Sequence, residues 1–302
     1  MSPRGSSRRR SRQSSARASS RFVDVNGRSH GFRDAQRAQG RGRSVRGDRG
    51  PAHESSGARA SPRPGFLIQG AEADDAVQVL VFESADRDYF ISHVDVTRIG
   101  EYREAAAKLA GDASIGLLFR RLSVSRLVTI AQIEGRVRAA GSEFVLACDM
   151  RFAARESAIF SQPEPAFSLI PGAGGVQHLT RLLGRARALE VILSAEDYDA
   201  ELAERYGWIN RALPASALGE FVRSLAHRIA AFPAGGRVAV KDRVNAIALA
   251  PAEDFRRDSD LFGEGVRKPE AQGRIQAAMK RGFQTRDAEM DLARMLGDLP
   301  DH

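Results

Sequence analysis

Residues 127–177, LVTIAQIEGRVRAAGSEFVLACDMRFAARESAIFSQPEPAFSLIPGAGGVQ, constrain the fold more than any other stretch of the chain. Residues 128–131 are largely apolar and end near the turn signal Glu134-Gly135, the pattern of a short buried strand. Ala139-Ala140-Gly141-Ser142 lets the backbone approach a neighbour closely, and residues 143–148 (EFVLAC) continue as an apolar helix. Residues 150–154 read as a further strand. Pro171-Gly172-Ala173-Gly174-Gly175 is a second flexible turn, opening a helix over residues 176–183.

Two carboxylates stand on different elements of this stretch. Glu143 lies on an apolar helix face, where burying an acid is costly unless it serves a purpose. Glu164 sits in a loop between Pro163 and Pro165, and Pro165 is expected to hold it in extended backbone angles. Small residues at the helix entrance leave backbone N–H groups open, which suits a developing negative charge. Two acids, an N–H nest and a Gly-rich turn are what enolate chemistry on a thioester would use. Asp149 reads as a strand-entry or cap acid, and the PGAGG turn lacks the Lys-Ser/Thr of a phosphate-binding loop, which disfavours nucleotide hydrolysis.

Residues 76–83 (AVQVLVFE) read as a strand apolar on both faces, preceded by a helix over about residues 65–73. Helices are expected at 101–109, 115–122, 186–193 and 199–206, with a short strand at 208–214. Amphipathic helices follow at 218–231, 237–249 and 270–281.

The net charge of +8 on 302 residues divides unevenly: residues 1–64 hold sixteen Arg and no Lys against four acids, or +12, leaving −4 for the rest. That Ser/Arg/Gly-rich stretch has too few apolar residues to offset chain entropy and is expected to be a disordered extension. A nucleic-acid-binding arm is the alternative, but no aromatic residues interleave for base stacking. Residues 65–215 are expected to form the core with the active site, and 216–302 a helical C-terminal region. The one cysteine, Cys148, allows no disulfide within the chain and points to a reducing compartment, so a cytoplasmic location is expected. An organelle matrix is the alternative if the Arg/Ser-rich stretch is a transit peptide. No apolar run approaches the length of a membrane span.

The motifs GSEFVLACDMRFA, then QPE, then IPGAGGVQHLTRLLGRARALEVILSAEDYDAELAERYGWINRALP resemble, in order and spacing, the enoyl-CoA hydratase/isomerase (crotonase) superfamily over about residues 66–285. The resemblance implies an α/β crotonase-type spiral of ββα turns with a helical C-terminal trimerisation region. It implies hydration of a 2-enoyl-CoA, with coenzyme A as part of the substrate and neither a further cofactor nor a metal. The expected partners are the acyl-CoA substrate and further copies of the chain in a homotrimer or hexamer, with no membrane. Enoyl-CoA isomerisation or another CoA-thioester enolate reaction is the alternative. A catalytically impaired member, kept as a scaffold or as an Arg-tail nucleic-acid binder, is another.

By the same resemblance Glu143 and Glu164 are the catalytic acids, expected to share a proton because they are buried together. Phe90-Ile91-Ser92-His93-Val94-Asp95 matches the family's Phe-x-Ala-Gly-x-Asp, which makes Val94 one oxyanion-hole donor and Ala140 the other. Ser92-His93 stands where Ala-Gly is usual, and Ala139-Ala140 where Gly-Gly is usual. His93 is read as a packing or solvent-facing variation rather than a catalyst. Ser92, His93, Asp95, Arg98, Gly141, Pro171, Gly172, Gly174 and Lys241 are placed at the substrate and its CoA moiety. Arg136 and Arg138 are read as solvated loop residues, with contact to CoA phosphates as the alternative. Residues 22–27 resemble the family's first strand and turn, whereas residues 28–64 show no pattern for the strand, CoA-contacting turn and helix expected there.

Overall fold

The structure, a computed structural model, describes residues 21–24, 29–31 and 63–299. Its first elements are β1 (Arg21–Asp24), β2 (Ser29–Gly31), α1 (Arg63–Glu72), β3 (Val77–Phe82), β4 (Tyr89–Ile91), α2 (Ile99–Ala110) and α3 (Ile115–Val124). The middle of the chain gives β5 (Val128–Ile133), β6 (Arg136–Arg138), α4 (Ala140–Ala147), β7 (Met150–Ala154) and β8 (Ile159–Ser161). Then come α5 (Gly175–Leu183), α6 (Arg185–Ser194), β9 (Tyr198–Asp199), α7 (Ala200–Tyr206) and β10 (Arg211–Leu213). The remaining helices are α8 (Ala215–Ala230), α9 (Ala234–Ala248), α10 (Ala252–Val266), α11 (Pro269–Lys280), α12 (Arg286–Met290) and α13 (Leu292–Gly297).

Strands alternate between two sheets, ordered β10-β7-β5-β3-β1-β2 and β4-β6-β8-β9. Each turn of the chain delivers a strand to the first sheet, a strand to the second, and then a helix: β3, β4, α2, then β5, β6, α4, then β7, β8, α5. Pairing is parallel except where β1 meets β2 and β8 meets β9. Parallel strands covered on both faces need apolar side chains on both, which is why β3 and β5 read as largely apolar runs.

Two apolar layers follow from that alternation. Leu80, Phe82, Ala131 and Ile133 pack inward with Phe90, Val137, Phe144 and Trp208 between the sheets and helices. Val79, Val81, Val128 and Ile130 face the other way, against Leu218, Val222 and Ala226 of α8. Each such side chain fully buried contributes roughly 1.5–3 kcal/mol of transfer free energy. A third cluster packs Phe167 against Phe283, Leu292 and Leu296 from the C-terminal helices.

Three expectations need correcting. The stretch expected as an extension contributes β1 and β2 to the large sheet, where β1 runs parallel to β3. β2 lies where the sequence shows no strand alternation, since three residues hydrogen-bonded to a neighbour need none. The rest of residues 1–62 lies outside the described residues. Residues 252–266, to which the sequence reading gives no element, form α10, and the 237–249 helix exists as α9 but buries none of its residues.

Candidate active site

β6 is followed by Ala139, whose φ of 45° and ψ of −127° are rarely adopted by an L-residue. The chain then turns directly into α4, closer to its neighbours than a side chain would allow. A Cβ on Gly141 would lie 2.1 Å from the Ile91 carbonyl oxygen. The first N–H groups of α4 have no carbonyl within the helix to receive them, and Ala140, the helix's first residue, lines a cavity.

Glu143, one turn into α4, is buried. Its Oε1 accepts the N–H of Ala173 at 2.7 Å and of Gly175 at 2.9 Å. Gly174 makes this wrap possible with a φ of +114° that favours glycine, and a Cβ there would lie 2.7 Å from the Phe255 ring. Burial pushes the Glu143 carboxyl up to about 7, against the two N–H bonds that favour its charged form.

Glu164 is also buried, and it starts a 3-10 turn (Glu164–Phe167) instead of lying extended. Its carbonyl oxygen accepts the N–H of Ser168 and of Leu169, which overrides the preference set by Pro165. The buried Gln162 donates through Nε2 to both carboxylate oxygens, at 3.3 and 3.1 Å. Burial, and then the negative charge of Glu143, push the Glu164 carboxyl well above the usual carboxylate range.

Both acids line one cavity together with Val94, Ala140 and His93. Its remaining walls are chiefly apolar, with Val96, Ile99, Ile115, Phe167 and Leu169 on one part and Phe262, Val266, Ile275 and Phe283 on another. His93 is buried, which excludes the solvent-facing reading. Its Nε2 lies 2.6 Å from Glu289 Oε1 and its Nδ1 2.6 Å from the Val94 carbonyl, and its ring stacks on Phe283 at 4.7 Å. Burial pushes the Glu289 carboxyl up, but the bond and charge of His93 and the charge of Arg138 outweigh it and hold it below the usual range.

The other expected substrate contacts divide. Gly172 lines the cavity, and its carbonyl accepts from Ser259 at 2.5 Å. Gly141, Pro171 and Gly174 are outside the lining: they shape the backbone around Glu143, so the PGAGG turn binds a carboxylate of its own chain. Ser92 is buried but also outside the lining. Asp95 accepts from the Thr97 N–H and hydroxyl at 3.0 and 2.7 Å as a cap. Arg98 is exposed and paired with Glu101. Lys241 is away from this cavity, with its Nζ 2.7 Å from the Leu127 carbonyl and 2.8 Å from Asp149.

Arg138 corrects the solvated reading most sharply. It is fully buried, grips Asp197 through Nε at 2.8 Å and Nη2 at 2.5 Å, and donates to the Glu289 carbonyl at 2.6 Å. Arg136 lies over the Tyr89 ring and donates to the Met290 carbonyl. Gln162, Arg103, Ser259 and Glu289 are the site residues that the sequence reading misses. Only Gln162 carried a signal, as the first residue of the QPE motif. Among the described residues no cluster of His, Cys, Asp or Glu could hold a metal, and no helix is long and apolar enough to cross a membrane.

With this geometry established, likeness to other proteins is informative. A family model described as enoyl-CoA hydratase/isomerase matches residues 67–287. A short-chain-enoyl-CoA hydratase from Clostridium acetobutylicum is 29% identical over 203 residues, 66% of this chain and 76% of that protein. One from Clostridioides difficile is 38% identical over 143 residues, 46% of this chain and 89% of that protein. Among solved structures, a "putative enoyl-CoA hydratase" from Streptomyces avermitilis is 50% identical with a TM-score of 0.78, covering 80% of this chain and 87% of that one.

Proposed function

The chain belongs to the enoyl-CoA hydratase/isomerase family of the crotonase superfamily, and we propose that it adds water across the double bond of a 2-enoyl-CoA. Two buried carboxylates bordering one largely apolar cavity, Glu143 and Glu164, carry this reading. A 2-enoyl thioester accepts water at its β-carbon only while its carbonyl takes up charge as an enolate. The N–H groups of Val94 and Ala140, offered from two separate elements, receive that charge; one such donor is typically worth about 3 kcal/mol.

The acids then divide the proton work. Burial raises both carboxyls, but two turn N–H groups favour an ionised Glu143, whereas burial and then the adjacent charge keep the proton on Glu164. Glu143 takes a proton from water as its oxygen bonds to the β-carbon, and Glu164 gives its proton to the α-carbon from the same side. The pair as a whole neither gains nor loses a proton. Coenzyme A enters as part of the substrate, and no metal or further cofactor enters these steps.

Assembly as a homotrimer or hexamer is part of the same reading. Val240, Val244 and Ile247 on α9, 65%, 55% and 82% exposed, support it as apolar surface that further copies would cover. A monomer by sedimentation would sink this part alone.

The reaction itself is tested by giving the purified protein but-2-enoyl-CoA and but-3-enoyl-CoA separately and identifying products by mass. The expected result is 3-hydroxybutyryl-CoA from the first ester. Interconversion of the two enoyl esters without gain of water would identify an isomerase instead.

A further inference from the structure

The cavity wall holds one Arg or Lys side chain, and nothing in the proposed hydration uses it. That residue is Arg103, one helical turn beyond the cavity residue Ile99 on α2, and half-buried. Arg267, just past the end of α10, points at the same place. A Cβ on Gly263 would lie 3.2 Å from Arg103 Nη1 and 3.9 Å from Arg267 Nη1. Two guanidinium groups thus converge on one spot that Gly263 leaves open. Among the described residues neither has a hydrogen bond or an ion pair from its side chain.

Two cations this close repel, and partial burial of one removes part of the water that would screen them. By contrast, Arg138 is also buried but is fully matched by Asp197 and Glu289. An arrangement of two unmatched guanidinium forks suits one bidentate anion, a carboxylate above all. Among the described residues the chain supplies no such anion, so it comes with the ligand.

Resting on the reading of this cavity as a 2-enoyl-CoA site, we propose that Arg103 and Arg267 bind a carboxylate at the far end of the acyl chain. The favoured substrate class is therefore an ω-carboxylated 2-enoyl thioester. Val94, Val96, Ile99 and Arg103, met in that order along the chain, all line the one cavity, which thus joins the proposed enolate donor, an apolar wall and a cation, as an apolar chain ending in an anion requires. Phe262 and Val266 of α10 flank the same route. The phosphates of coenzyme A carry suitable charge too, but the long pantetheine arm holds them away from the thioester and its acids.

The test is a binding measurement, so its outcome does not depend on turnover. Calorimetric titration would compare hexanoyl-CoA with 5-carboxypentanoyl-CoA, saturated esters of equal carbon count that cannot be hydrated. The parent is expected to prefer the carboxylated ester by at least about ten-fold, as a desolvated charge-assisted pair provides. In Arg103→Gln and Arg267→Gln the ratio should fall toward one, and in Arg103→Glu it should reverse. No preference in the parent, or a preference that survives Arg103→Gln, would overturn the proposal. So would an equal loss of affinity for both CoA esters that is absent with hexanoyl-pantetheine, which would assign the arginines to the CoA phosphates. Failure of hydration with these binding results intact would count against the proposed reaction and leave the anion site standing.

Discussion

Glu143 shows how a single residue can be legible in sequence while its surroundings are not. An acid on an apolar helix face carries a cost that signals function. That Ala173 and Gly175 wrap this carboxylate was not visible, because a Gly-rich turn looks the same whether it holds a ligand or its own chain's acid. The pair's titration gives two predictions. Glu143 reaches about 7 when folded, above its ordinary 4.5, so the folded state holds the proton more tightly than the unfolded chain. Stability is then greatest below the unfolded value and falls as pH rises through this range. Glu164, raised by burial and by the charge of Glu143, adds to the loss in the same direction. Thermal unfolding of Glu143→Gln is thus expected to exceed that of the parent at pH 8, with the gap closing by pH 5. The hydration rate, which needs one acid ionised and the other protonated, should rise with pH near about 7 and fall again above it.

At the scale of elements, the strands of the spiral were readable because each is buried on both faces, and β3 and β5 show this plainly. Short edge pairings such as β2, and the helix α10, were not readable: the first takes its order from a neighbour and the second buries Asp258, Ser259 and Gly265 beside Phe255, which breaks any apolar stripe. The junction of β6 and α4 joins fold to chemistry. Gly141→Ala places a methyl 2.1 Å from the Ile91 carbonyl, so backbone must move beside Ala140, the proposed second N–H donor. A stability loss of roughly 1–3 kcal/mol is expected, with a larger proportional fall in kcat, read by denaturant unfolding and steady-state kinetics. Leu218→Ala, on α8 behind the large sheet, should cost about 2–5 kcal/mol yet leave the kcat of the folded fraction in place.

Across the whole molecule the C-terminal helices close the site through one buried network. Glu289 of α12 meets His93 beside Val94 and Arg138 at the entrance to α4, elements far apart in the chain. Side-chain pairing over such separations leaves no local pattern, which is why Arg138 read as a solvated loop residue and His93 as incidental. Glu289→Gln strips a charge facing the buried His93 ring and the buried Arg138 guanidinium. It should destabilise the fold by about 3–5 kcal/mol, seen in chemical unfolding. The family, by contrast, was legible because its motifs are local and lie in the part of the chain that builds the acids. The account stands or falls on those acids. The measurement that tests it is hydration of crotonyl-CoA, followed by loss of enoyl-thioester absorbance, for the parent beside Glu143→Gln and Glu164→Gln. An active parent with each variant slowed about a hundred-fold or more is the predicted result. An active parent in which either variant retains full rate would contradict two-carboxylate chemistry.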